Sequence, residues 1–206
     1  MTPEEFAAAA DVPRETMGRL QAMDRVLIEW SERHNLVARS TMKDRWHRHF
    51  LDSAQLAPLL PRDAKLIVDL GSGAGFPGLV LAALRPKTKV TLIESTGKKA
   101  AFLTAAGEAM DLRNLKVIPG RIESVRLTAP PDVITARALA RLDKLLGYGA
   151  GIQRKSTRYF LLKGQDVEVE LTEAAKSWTM DVTRHQSRTS PEATILEIGN
   201  LARARP

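Results

Sequence analysis

Asp69, Gly71, Gly73, Gly75 and Gly78 fall within ten residues of one another, and Glu94 follows sixteen residues after the last of them. Glycines this close together let a chain turn tightly and present bare backbone N–H groups to a ligand. A carboxylate at the distance of Glu94 can accept both hydroxyls of a ribose, and charged hydrogen bonds of that kind contribute about 1.5–3 kcal/mol each. Gly73-x-Gly75-x-x-Gly78 satisfies the literal dinucleotide fingerprint, and Glu94 stands where its ribose-binding carboxylate is expected. The pattern points to an adenosine-containing ligand without naming it.

The elements around these residues narrow the choice. Leu66-Ile67-Val68 is an apolar run of the kind a buried parallel strand shows, and Leu79 to Leu84 reads as a helix with Pro77 in its first turn. Strand, glycine loop and helix form the opening unit of a nucleotide-binding α/β fold. Asp69-x-Gly71-x-Gly73-x-Gly75 has the form that resembles class I methyltransferases. Pro77 removes a backbone donor where a pyrophosphate would use every N–H. S-adenosylmethionine, with one carboxylate and two positive groups, asks for fewer such donors.

In an open α/β sheet the ligand lies outside the carboxyl ends of the strands. Strand candidates cover 65–70, 89–94, 115–119, 132–136, 158–163, 178–186 and 193–199, and helical patterns fill 77–85, 97–110, 138–147 and 166–177. The alternation predicts a parallel sheet covered on both faces, and the last two strands, with only turn residues between them, predict an antiparallel edge hairpin. Seven strands in that arrangement are the class I S-adenosylmethionine-dependent methyltransferase pattern. After the third strand, Ile122 is placed to cover an adenine ring and Glu123 to accept its amino group. Arg137 closes the fourth strand beside the reacting centre, where the Pro-Pro-aromatic motif of exocyclic-amine methyltransferases is missing. Lys163 ends the fifth and is expected to reach the same cleft.

Residues 1–64 read as a helical cap packed on a core of residues 65–206. The cap comprises a short helix at 3–10, a longer one with Asp11 as cap and Met17, Leu20, Met23, Leu27 and Trp30 on one face, and a third from about Met42 to Leu59. Zero cysteines exclude a cysteine nucleophile and thiolate zinc sites, and fit a reducing compartment. No metal site is readable. His47 and His49 face different ways on a helix, while His34 and His49 suit packing or hydrogen bonding.

The formal charge is +7, with residues 1–64 at −1 and the remainder at +8. A basic core suggests a polyanionic partner, nucleic acid first. Arg33, Arg39, Lys43, Arg48, Lys98, Lys99 and Lys163 are the expected phosphate contacts. With no membrane-spanning or signal pattern, a cytoplasmic monomer without membrane or metal partners is the expectation.

Several ordered motifs carry a more specific likeness: Trp30-Ser-Glu-Arg-His-Asn-Leu36, Arg48-His-Phe-Leu-Asp-Ser53, Asp69 to Gly78, Leu92-Ile-Glu-Ser95, Lys98-Lys99 with Phe102-Leu103, Asp132 to Ala138, and Leu162-Lys-Gly164. Together they resemble the bacterial 16S rRNA guanine-N7 methyltransferase G family, also called glucose-inhibited division protein B. The resemblance implies S-adenosylmethionine as cofactor, Gly71, Phe76, Ile122, Glu123 and Arg137 as cofactor positions, and 16S rRNA or the small subunit as partner. It also implies methyl transfer to N7 of one guanine in the decoding-region loop. Ser31 departs from the asparagine often found after the tryptophan. A nicotinamide-dependent oxidoreductase and an RNA-binding protein that kept the fold without catalysis stay open as rivals at this point.

Overall fold

The computed structural model describes residues 1–204 of the chain. A seven-stranded sheet forms its centre, built from β1 (Leu66–Leu70), β2 (Lys89–Glu94), β3 (Leu115–Pro119), β4 (Val133–Arg137), β5 (Arg158–Lys163), β6 (Trp178–Gln186) and β7 (Thr194–Arg203). The spatial order is β3-β2-β1-β4-β5-β7-β6. The first five strands are parallel, and β7 runs antiparallel to both β5 and β6. The chain proceeds outward from β1 through β2 to β3, then returns to lay β4 on the other side of β1. The β1/β4 boundary is therefore the switch point, where a crevice opens at the carboxyl ends of the strands.

Alternation along the strands divides the core in two. Ile67, Val90, Leu92, Val133 and Phe160 face α5 (Gly78–Leu84) and α6 (Gly97–Ala109), and the same cluster takes in Phe6, Leu20, Met23, Leu27 and Phe50 from the first 64 residues. Val68, Leu70, Ile134 and Leu161 face the opposite way, against α7 (Leu142–Ala150) and α8 (Val167–Ala174). The N-terminal helices α1 (Pro3–Ala9) and α2 (Arg14–Ser31) thus extend one face of the sheet's core and share its apolar burial.

Four local features depart from the sequence reading. Asp11 adopts a left-handed conformation (φ 49°), and the residue preceding α2 is Pro13, whose side chain has no acceptor to cap it. The expected single helix from 42 to 59 is broken into α3 (Arg39–Met42), a π-helix at Trp46–Leu51 and a short α4 (Asp52–Ala54). π-helical turns are rare and concentrate at functional sites; this one turns His49 and Phe50 inward. α7 starts at Leu142, four residues late, because Ala138 is left-handed (φ 52°) and the chain needs those residues to turn the corner after β4. β7 continues to Arg203, past the expected end at 199. Among the described residues, no helix is long and apolar enough to cross a membrane.

Candidate active site

The crevice is a cavity of about 760 Å³ bounded by the loop after β1, the ends of β2 and β4, the turn after β3, and the segment that enters the π-helix. Gly71, Gly73 and Gly75 all have positive φ (61°, 55° and 85°), the left-handed region that glycine enters without steric cost. Their uses differ. Gly71 and Gly73 line the cavity, whereas Gly75 does not. A Cβ on Gly75 would come within 2.3 Å of Leu79 Cδ1, and one on Gly78 within 2.2 Å of Leu92 Cδ2. The second half of the loop is glycine because α5 packs close to the sheet, and Gly75, expected on the cavity wall, packs against Leu79 instead.

Asp69, also expected at the ligand, sits off the wall as well. It is absent from the cavity wall and lies beneath the loop, 1 % exposed, accepting a hydrogen bond from Thr135 Oγ1 at 2.8 Å. Its Oδ2 points at Gly78, where an added Cβ would sit 2.9 Å away. Burial pushes the carboxyl up to about 6 against the opposing pull of hydrogen bonds from Ser72 and Thr135. Asp69 ties β1 to β4 from below, while Oδ2 is buried without a hydrogen-bond partner beside Gly78.

Glu94 closes β2 and does face the cavity, although its side chain is nearly buried. Oε2 accepts the Gly73 N–H and Oε1 the Thr96 N–H, each at 2.8 Å. The second bond anchors the residue before α6, so the residue serves that helix start as well as the loop. Each oxygen keeps a further lone pair for a ligand hydroxyl. Ile122 and Glu123, in a short 3₁₀ turn at Ile122–Ser124, complete the far wall beside Gly120 and Arg121.

At the other end of the cavity Arg137 is held by several groups at once. One guanidinium nitrogen donates to the Arg48 carbonyl at 3.2 Å and to Asp52 Oδ2 at 3.3 Å, and lies 3.1 Å from His49 Nδ1. Its Cζ stands 5.1 Å from the centroid of Phe76, which stacks on His49 at 5.2 Å. Burial lowers the Arg137 pKa from its ordinary value, and Asp52 opposes that shift. His49 is pushed down to about 4, first by burial and then by the charges of Arg137 and Arg48. The hydrogen-bond network fixes its tautomer. Thr41 gives its own proton to the Ala38 carbonyl, so its oxygen accepts His49 Nε2–H at 2.9 Å, and Nδ1 faces the guanidinium as an acceptor.

Lys163 does not reach this cavity. Its ammonium is bound to Glu170 Oε2 at 2.5 Å and to the Ala140 carbonyl at 3.1 Å, and it borders a second chamber of about 500 Å³ across the Arg137–Leu139 wall. With a side chain only 9 % exposed, it is also withdrawn from the surface where a phosphate contact was expected. Arg33, Arg39, Lys43, Arg48 and Lys98 are exposed, and Lys99 is half-buried on the cavity wall. Among the described residues no cluster of His, Cys, Asp or Glu could hold a metal ion.

Sequence reasoning missed the roles of Thr41 and Asp52, although Arg48-His-Phe-Leu-Asp-Ser53 stood out as a motif; His49 packs on Phe76 and hydrogen-bonds Thr41, as expected of it. Glu170 was missed entirely; nothing in the spacing ties α8 to the end of β5.

The chain matches the family model of GidB, rRNA small subunit methyltransferase G, over residues 17–197. The chain belongs to this family. It is 48 % identical to Ribosomal RNA small subunit methyltransferase G of Rhodospirillum rubrum, over 99 % of this chain and all of that protein. The enzyme of the same name from Paramagnetospirillum magneticum is 44 % identical over all of this chain and 98 % of its own. Among solved structures, Mitomycin 7-O-methyltransferase MmcR superposes with a TM-score of 0.62 at 12 % identity, covering 96 % of this chain and 72 % of that one. A SAM dependent methyltransferase from Aquifex aeolicus gives 0.57 at 14 % identity, covering 75 % and 92 %. At these identities the structural likenesses establish the methyltransferase fold.

As a GidB-family chain, the protein is a methyltransferase of small-subunit rRNA with S-adenosylmethionine as methyl donor. The residues present fit that donor. Gly71 and Gly73 offer bare backbone, Glu94 keeps spare lone pairs on the cavity wall, and Ile122 is an apolar side chain on the same wall.

Proposed function

We propose that this protein transfers the methyl group of S-adenosylmethionine to N7 of a guanine in 16S rRNA. Gly71, Gly73, Phe76, Glu94, Ile122, Glu123 and Arg137 would hold the donor in the larger cavity. When bound, the donor supplies an electrophilic sulfonium methyl.

The observation that carries the reading is how Arg137 and His49 occupy the reacting end of the cavity. The imidazole next to the guanidinium is neutral, with its Nε2–H given to Thr41 and its Nδ1 set 3.1 Å from Arg137. Burial and the adjacent Arg137 and Arg48 charges oppose a proton on Nδ1, so His49 is unsuited to act as a base. Guanine N7 has a lone pair and no proton to lose, so attack by N7 needs no general base. What the chain has to provide is positioning and a field arranged in advance.

The methylated ring becomes cationic, so an arginine donating to N7 would both block attack and oppose the developing charge. Arg137 is kept from doing so by Asp52, Arg48 and Phe76, which draw its guanidinium toward the π-helix. Oxygen O6 is the acceptor on guanine that a cationic side chain can take without penalty. The exposed Arg33, Arg39, Lys43, Arg48 and Lys98, with Lys99 at the cavity wall, are assigned to rRNA phosphates. The enzyme is taken to act as a monomer in the cytoplasm, where small subunits are assembled.

The reading is tested by mapping 7-methylguanosine in 16S rRNA from cells with and without this protein. One site should lose the modification when the protein is absent. An unchanged map overturns the proposal.

A further inference from the structure

The second chamber lies at the carboxyl ends of β4 and β5, under the turn that joins β6 to β7. It shares Arg137, Ala138 and Leu139 with the donor cavity, so the two spaces are separated by one stretch of backbone and one guanidinium. Its volume of about 500 Å³ is within the range of small-molecule sites and ample for a nucleobase.

Its polar lining is specific. Lys163 and Glu170 sit side by side on the wall, their Nζ and Oε2 2.5 Å apart. Glu170 Oε2 also accepts the Leu142 N–H at 2.6 Å, which fixes the carboxylate from a second direction. Glu170 lines the chamber, and its Oε1 takes no hydrogen bond from any described residue, which leaves that oxygen for a ligand. Two of the three Lys163 protons are spent on Glu170 and the Ala140 carbonyl. The pair therefore offers one N–H donor next to one carboxylate acceptor, with little net charge between them, on a wall that also carries Asp52, Arg137 and Arg141.

We infer that this chamber receives the acceptor guanine, with Glu170 reading its N1–H and 2-amino group and Lys163 its O6. The inference deepens the proposed N7 transfer and rests on it. Guanine presents O6 as an acceptor directly beside N1–H as a donor, which is the complement of the Lys163–Glu170 pair. Adenine presents a donor and an acceptor in the reverse order, setting its amino group against the ammonium and its N1 lone pair against the carboxylate. Such reversed polarity is how a site rejects a ligand of nearly the same shape. Held by that edge, guanine keeps its N7 free. The neutralised Lys163–Glu170 pair also adds little repulsion to the cationic product.

The test compares RNA substrates carrying guanosine or inosine at the target position, with wild-type enzyme and Glu170→Gln. Inosine keeps N7, O6 and N1–H and lacks only the 2-amino group. Wild type should prefer guanosine by about tenfold or more in kcat/KM. Glu170→Gln should lose about tenfold on guanosine and bring the two substrates near equality, with the titration of S-adenosylmethionine unchanged. Ala193→Leu, which fills the chamber from the turn side, should abolish most transfer while leaving donor affinity intact. A guanosine preference that survives Glu170→Gln, or wild-type transfer by Ala193→Leu, overturns the inference alone, provided the guanosine substrate yields 7-methylguanosine. A product methylated elsewhere than guanine N7 overturns the proposed function and this assignment together.

Discussion

The Glu94 carboxylate accepts the backbone N–H of Gly73 at 2.8 Å, joining the end of β2 to the glycine loop on the wall of the larger cavity. The bond orients both partners before a ligand arrives, so that binding does not have to order them. It also means that one side chain holds the loop and, in the proposed role, the ribose.

Removing that side chain should therefore show in donor binding beyond the loss of direct contacts. Glu94→Ala is expected to weaken S-adenosylmethionine binding by about tenfold or more. Glu94→Gln should recover little, because its amide nitrogen would face either the Gly73 or the Thr96 N–H, donor against donor. Calorimetric titration checks both; unchanged affinity would place the ribose elsewhere.

The two halves of the glycine loop should fail in different assays. Gly75→Ala forces a Cβ to within 2.3 Å of Leu79 at a residue with φ 85°. Crowding of that kind costs about 1–3 kcal/mol and the left-handed conformation about 1–2 kcal/mol more, which a thermal melt should register. At Gly73 the nearest atom to an added Cβ is the Gly71 carbonyl oxygen at 3.8 Å, so only the backbone penalty applies. Gly73→Ala should fold with a small loss of stability and show its main defect in donor titration.

Arg137 and Asp52 should behave as a unit. Their carboxylate–guanidinium contact is 3.3 Å with both side chains largely shielded from water, so removing either partner strands a charge. Asp52→Ala should lower stability by about 3 kcal/mol and reduce turnover in the same sense as Arg137→Ala. In a double-mutant cycle the pair should fall well short of additivity. Additive losses in turnover would show that Asp52 does not act through Arg137.

Asp69 and His49 should tilt the pH dependence of stability in opposite directions. The folded His49 pKa of about 4 lies below its ordinary 6.5, so its contribution is present above pH 6.5 and is lost as pH falls toward 4. Asp69, raised from 3.8 to about 6, contributes stability that is present below pH 3.8 and lost as pH rises through 6. His49→Gln should therefore tilt the stability profile between pH 4 and 7 upward on the acid side relative to wild type, and Asp69→Asn downward. Urea unfolding across that range reads both; parallel profiles would contradict the two buried environments.

The sheet was legible because its signals are local: apolar runs of strand length, glycine-rich turns, and a final pair of strands with no helix between them. Glu94, Ile122, Glu123 and Arg137 could be found because topology alone places residues just past the strands at the cleft. The errors have a common physical origin. Asp69 and Gly75 belong to the same motif as Gly71 and Gly73, and only three-dimensional packing separates the residues under the loop from those on it. The π-helix replaces a regular helix because tertiary contacts at Phe50 and His49 outweigh an apolar periodicity that reads as continuous. Lys163 looked free because its partner, Glu170, lies on the following helix at a spacing that carries no signal.

The most direct measurement supplies the purified enzyme with methyl-labelled S-adenosylmethionine and undermethylated small subunits, then digests the rRNA to nucleosides. The account predicts label in 7-methylguanosine, with transfer lost in Arg137→Ala and in Ala193→Leu. Label in any other nucleoside, or none with subunits known to lack the modification, would contradict it.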